Sequence, residues 1–214
     1  MSLARMEVSV MLLRLLLIVL LLGTATASPA EEAPRIAVLG DSLSAAYGLE
    51  REREGWVTLL QDRLTAEGHP HQVINAATSG DTTRQALNRL APLLEAHSPE
   101  VLVVQLGGND GLRALPPAET RRNLSAIIEM GQSAGAEVLL VGIRLPPNYG
   151  PAYNQRFEAL FHELAEDYDV PLVPFLLEGI ATDDALMQDD RIHPNAKAQP
   201  KMLELVWPEL VPLL

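Results

Sequence analysis

Arg35-Ile36-Ala37-Val38-Leu39-Gly40-Asp41-Ser42-Leu43-Ser44 runs four apolar residues straight into a turn of small and polar ones. A short apolar run with no polar alternation is the pattern of a strand covered on both faces, as in a parallel sheet. The pattern returns at Val73–Asn75, Val101–Leu106, Val138–Ile143 and Leu172–Val173. Between these runs apolar residues recur at helical spacing. Trp56, Leu59, Leu60 and Leu64 form one stripe, and Ala86, Leu87, Leu90 and Leu94 a second. Leu124, Ile127 and Ile128 form a third, and Phe157, Leu160, Phe161 and Leu164 a fourth. Gly68, Gly135 and Pro171 stand where those helices would stop. A closing helix is expected from Asn195 to about Leu205. Strand and helix in alternation predict an open α/β sheet with right-handed crossovers. No linker, repeat or low-complexity segment divides residues 35–214, which read as a single domain.

The 214 residues carry a net charge of -12, from 28 acidic and 16 basic side chains. Such a surface repels a polyanion, and no Lys/Arg run offsets it, so a nucleic-acid partner is not expected. Without cysteine, disulfides, zinc-thiolate sites and thiol catalysis are excluded. Leu15 to Leu22 is an unbroken apolar run, preceded by Arg14 and followed by Gly23-Thr24-Ala25-Thr26-Ala27. A positive flank, a short apolar centre and an Ala-x-Ala end predict a signal peptide over 1–27, cut after Ala27, then a linker over 28–34. The run falls short of the ~20 apolar residues that cross a bilayer. The expected product is periplasmic or secreted, monomeric and without stable membrane anchoring.

Four of the five strand runs are followed by residues that carry chemistry. After the first comes Ser42, after the second Ser79-Gly80-Asp81, and after the third Gly107-Gly108-Asn109-Asp110; Asp190-Arg191-Ile192-His193-Pro194 follows the fifth. In an open α/β sheet, sites form at the carboxyl ends of strands. A lone serine after a strand is most often a helix cap. With His193 in a loop at the same edge it reads as a nucleophile and its base. The Asp-x-x-His spacing presents a carboxylate and an imidazole together, the former fixing the tautomer of the latter. Asp189 could orient His193 as well as Asp190, and spacing does not separate them. Gly80 allows a backbone N–H to approach a ligand, and Asn109 supplies an uncharged donor, so both are oxyanion candidates. The plainer readings are a turn before a helix capped by Asp81, and an Asx-turn in a Gly-rich loop. His69, His71 and His97 sit in polar stretches and read as solvated. His162 has no second histidine at zincin spacing. Asp183, Asp184, Asp189 and Asp190 lack regular ligand spacing, so no metal and no cofactor are expected.

These blocks resemble those of the SGNH, or GDSL, hydrolase superfamily, from about Arg35 to Pro200. Ala45-Tyr47-Gly48, Gly55-Trp56, Ser79-Gly80-Asp81-Thr82, Leu145-Pro146-Pro147-Asn148-Tyr149-Gly150 and His193-Pro194-Asn195 are similar to the bacterial thioesterase I / lysophospholipase L1 (arylesterase) group. The resemblance implies a three-layer α/β/α, flavodoxin-like fold with a five-stranded parallel sheet. It implies Ser42 as nucleophile, His193 as base and Asp190 as its partner. Ser42, Gly80 and Asn109 would form the oxyanion hole. The substrates implied are small acyl esters, thioesters or lysophospholipids. Two loops border the expected cleft, and Leu112, Leu145, Pro146 and Tyr149 on them are its expected acyl-binding residues. A carbohydrate O-acetylesterase is the enzymatic alternative, and a non-catalytic lipid- or glycan-binding protein the other.

Overall fold

The computed structural model describes residues 33–214; the expected signal peptide and most of the linker lie outside the described residues. Five strands pair in parallel: β1 Arg35–Gly40, β2 Gln72–Asn75, β3 Val101–Gln105, β4 Glu137–Val141 and β5 Leu172–Val173. Their order is β2-β1-β3-β4-β5, the flavodoxin-like winding. The principal helices are α1 Trp56–Glu67, α2 Thr83–His97, α3 Gly108–Leu112, α4 Pro117–Ser133, α5 Pro151–Tyr168 and α6 Gln199–Leu210.

The unbroken apolar strands feed two cores because successive side chains point to opposite faces. Ile36, Val38, Val101, Val103, Leu139 and Val141 pack on one face with Trp56, Leu60 and Leu64 of α1 and Met202 and Val206 of α6. Ala37, Leu39, Leu102, Val104, Val138 and Leu140 pack on the other, with Leu90 of α2, Ile127 of α4 and Phe157 and Phe161 of α5. Each fully buried Leu or Phe stabilises by ~1.5–3 kcal/mol, so truncating Leu60, which is fully buried, should cost ~2–5 kcal/mol.

Local signals place the helix ends. Thr82 and Gln85 make a reciprocal capping box at the start of α2, so Thr82 is the cap. Asp81, the cap in the plainer reading of this turn, pairs instead with Arg89 at 2.7 Å. The closing helix starts four residues later than expected, at Gln199, and runs to Leu210. Asn195 is held in the preceding loop: its amide donates to the carbonyls of Ala185 and Met187, and its backbone N–H to that of Leu186. His71 is buried, contrary to the solvated reading, with Nε2 3.4 Å from a Glu100 carboxylate oxygen.

Candidate active site

Gly40, Asn75 and Gln105 end the first three strands at one edge of the sheet, and the loops that follow carry the site. Ser42 sits in an irregular turn, with Ala45 N–H donating to Asp41 O and Tyr47 N–H to Ser42 O. The next α-helix begins at Trp56, so Ser42 caps none. The turn closes tightly on β1: a Cβ at Gly40 would lie 2.7 Å from Ser44 Cβ and 3.2 Å from Gln105 Oε1. Only glycine leaves that space.

His193 reaches this turn from the other end of the chain. Its Nε2 lies 2.9 Å from Ser42 Oγ, and its Nδ1 lies 2.6 Å from Asp190 Oδ2. A carboxylate only accepts, so Nδ1 carries the proton and Nε2 faces the serine hydroxyl as acceptor. Asp190 Oδ1 also accepts the backbone N–H groups of Ile192 and His193. Partial burial works to raise its pKa, but these hydrogen bonds and the His193 ring outweigh it and bring the pKa down to about 2. Asp190 therefore stays ionised throughout the neutral range, and it is this carboxylate, not that of Asp189, that meets His193. The loop is stapled at its base by the Met187–Pro194 bridge. Gln188 ties it to the serine turn, donating to Tyr47 O at 2.8 Å, while the Tyr47 ring lies 4.6 Å from that of His193.

Asn109 stands on a short helix, where a Gly-rich loop was expected. Gly107 begins it with φ +112°, a conformation that L side chains rarely adopt. The Asn109 amide donates one hydrogen to Asp81 O at 2.9 Å, and its second is available. Arg113 donates to Gly80 O at 2.9 Å, so two side chains hold the Gly80-Asp81 loop against α3. Among the described residues, neither the Ser42 nor the Gly80 backbone N–H donates to a protein acceptor. Asp110 is buried and accepts from the Thr83 backbone N–H and hydroxyl at 2.9 and 2.5 Å. That carboxylate braces α3 against the start of α2.

A cavity of about 560 Å³ opens beside Ser42, Asn109 and His193. Leu112, Ile143, Leu145, Pro146, Phe175 and Leu177 supply its apolar wall. Gly80 is not among the lining residues. Tyr149 stands beside that lining: its hydroxyl donates to the carbonyl of Leu112, a lining residue, at 2.7 Å. Arg144 stands in the wall with its guanidinium paired to Glu158 and Glu178 and 5.0 Å from the Phe175 ring centroid. Burial works against that cation, but the two carboxylates raise its pKa above the usual arginine value.

Sequence reading missed two parts of this site. One is the wall from Phe175 to Thr182 after β5, whose mixed composition has no periodicity. The other is Asp41, which lines the cavity and is almost fully buried. Burial is the main cause that raises its pKa to about 6, opposed by hydrogen bonds from the Leu43 N–H and Gln105 and by the charge of His193, and assisted by Asp110. No group of three or more His, Cys, Asp or Glu side chains among the described residues forms a metal site.

A serine, an imidazole and a carboxylate in line at the switch edge of a flavodoxin-like sheet define the class of serine hydrolases. Comparison with known proteins places the chain within that class. Residues 38–199 match the GDSL-like lipase/acylhydrolase family. Esterase TesA of Pseudomonas aeruginosa is 48% identical over 182 residues, 85% of this chain and 90% of the relative. Thioesterase 1/protease 1/lysophospholipase L1 of Escherichia coli K12 is 44% identical over 185 residues, 86% of this chain and 87% of the relative. A crystal structure of TesA superposes with a TM-score of 0.82 at 48% identity, covering 84% of this chain and 99% of that one. The chain belongs to the GDSL-like lipase/acylhydrolase family and is an SGNH-type esterase.

Proposed function

We propose that this esterase hydrolyses acyl esters and thioesters, lysophospholipids among them, through an acyl-enzyme on Ser42, and that it works after export and cleavage behind Ala27. The observation that carries the reading is the run from Ser42 Oγ to His193 Nε2 at 2.9 Å and from His193 Nδ1 to Asp190 at 2.6 Å. Ser42 Oγ attacks the acyl carbonyl while His193 Nε2 takes its proton. Asp190, held ionised, stabilises the imidazolium that forms. The negative charge that builds on the carbonyl oxygen is met by the N–H groups of Ser42 and Gly80 and the second amide hydrogen of Asn109. His193 then returns its proton to the leaving oxygen or sulfur, and water repeats the sequence on the acyl-enzyme. Leu112, Leu145, Pro146, Phe175 and Leu177 favour an acyl chain in the cavity over a sugar.

Ser42→Ala should abolish turnover, a loss of ~10⁶ in kcat for comparable triads, and with it covalent labelling by a fluorophosphonate. Labelling retained at Ser44 or Ser79 would overturn the mechanism. N-terminal sequencing of the exported protein should begin at Ser28; a full-length product confined to membranes would overturn the export reading.

A further inference from the structure

Gln105 ends β3 with its side chain wholly buried, next to the serine turn. Its amide makes three hydrogen bonds, all to that turn. Oε1 accepts from Ser44 Oγ at 2.7 Å and from the Asp41 N–H at 3.4 Å, and Nε2 donates to Asp41 Oδ1 at 3.1 Å. The direction of the amide is determined by these partners. Turned over, it would set Nε2–H against the Asp41 N–H, donor on donor, and Oε1 against a carboxylate oxygen, acceptor on acceptor. A buried polar side chain could have satisfied itself on its own strand. This one instead ties the two residues that flank the nucleophile, Asp41 before it and Ser44 two places after. The fit is close, because a Cβ on Gly40 would come within 3.2 Å of Gln105 Oε1.

We propose that Gln105 is a positioning residue for the nucleophile: its amide oxygen holds the Ser42 turn to the end of β3, and its amide nitrogen directs the Asp41 carboxyl. The role rests on Ser42 being the nucleophile, and it follows from the need for a donor and an acceptor at once. Leucine supplies neither. An ionised glutamate accepts from Ser44 but cannot donate to Asp41, and it puts a second negative charge against a carboxylate in a buried place. A protonated glutamate restores both functions. The groups facing Asp41 are Gln105 from β3, Asp110 from α3, His193 from its loop and the Leu43 N–H of its own turn. Among them Asp110 is the acid whose charge already disfavours a further anion, and a glutamate in place of Gln105 adds to that repulsion.

The experiment measures kcat, KM and the rate of fluorophosphonate inactivation for Gln105→Leu, Gln105→Glu and Ser44→Ala on a short p-nitrophenyl ester, with melting temperature alongside. Gln105→Leu should lower kcat and the inactivation rate together, by about 10- to 100-fold, with KM within about twofold, because a misplaced nucleophile affects the transition state more than binding. Ser44→Ala removes one hydrogen bond without altering packing and should lower both rates by about three- to tenfold. It decides the matter if the leucine variant does not fold. Gln105→Glu should approach the parent near pH 5 and fall progressively below it by pH 8, as the glutamate proton is lost. The idea is overturned if Ser44→Ala and soluble Gln105→Leu keep parental kcat and inactivation rates, whatever their melting temperatures. A Gln105→Glu pH profile parallel to that of the parent would overturn it too. Loss of all activity in Ser42→Ala together with an unchanged Gln105→Leu would leave the nucleophile assignment standing and remove Gln105 from the mechanism.

Discussion

The substitution Asp41→Asn should stabilise the protein at neutral and alkaline pH and not in acid. The carboxyl is almost fully buried, and its pKa rises from an ordinary 3.8 to about 6. Burial is the leading cause, since it disfavours the charged form. A carboxyl with a raised pKa binds its proton more tightly in the folded chain than in the unfolded one. Its stabilising share is therefore fully present below about pH 3.8 and disappears as pH rises through about 6. The gap between those values corresponds to about 3 kcal/mol. An amide escapes that loss. The introduced side chain keeps an Oδ1 as acceptor for the Leu43 N–H and Gln105 Nε2, the bonds now at 3.0 and 3.1 Å. Its Nδ2 would take the place of Oδ2 beside Gly108, and an unsatisfied donor there costs ~1 kcal/mol. The net gain at pH 8 is then ~2 kcal/mol, or ~4–8 °C in melting temperature for a domain of this size. Thermal melts of both proteins from pH 3.5 to 8 measure it directly. The curves should lie close together, or with the variant slightly lower, in acid, and should separate between about pH 4 and 6.5. A melting difference that is constant across the range, or that favours Asp41 more as pH rises, would refute the reasoning.

Asn109→Ala should lower kcat by ~10²–10³ with KM little changed, since the hydrogen bond to the oxyanion forms mainly in the transition state; steady-state kinetics on one ester suffices, and a change in KM alone would make Asn109 a substrate-binding residue. Asp190→Asn should be severely impaired and Asp189→Asn close to normal when kcat/KM is compared, because only Asp190 meets His193. Activity on p-nitrophenyl esters should climb from acetate to medium chains, each buried methylene contributing at most ~0.8 kcal/mol, or about fourfold in kcat/KM. Leu145→Asp should flatten that climb while sparing acetate, and a strict acetate optimum unaffected by the change would favour a carbohydrate deacetylase.

The sheet and the positions of its site loops were legible because they rest on local patterns. Strands apolar on both faces look the same in sequence as they do in the core, and Ser42, Gly80, Asn109 and the Asp190–His193 pair each follow such a strand. Boundaries were less legible where side chains override propensity. Asn195 is a fair helix starter by type, yet its amide is held by the carbonyls of Ala185 and Met187, and α6 waits until Gln199. In the same way Thr82 is the cap that the plainer reading gave to Asp81, whose carboxylate is drawn to Arg89.

By itself, the sequence determined the parallel α/β architecture and the residue types gathered at one edge of the sheet, since both depend on spacing along the chain. Tertiary structure alone decided which partners those residues meet. Asp190 rather than Asp189 reaches His193 because the loop bends so that its Oδ1 accepts the N–H groups of Ile192 and His193. Tyr149 braces Leu112 because folding brings its hydroxyl to the Leu112 carbonyl. Asp41 acquired its high pKa, and Gln105 its place beside the serine turn, only through the burial that packs Asp41 and Gln105, 64 residues apart, against each other. Hydrogen-bond direction, desolvation and charge depend on distance in space, and spacing along a chain carries no measure of it.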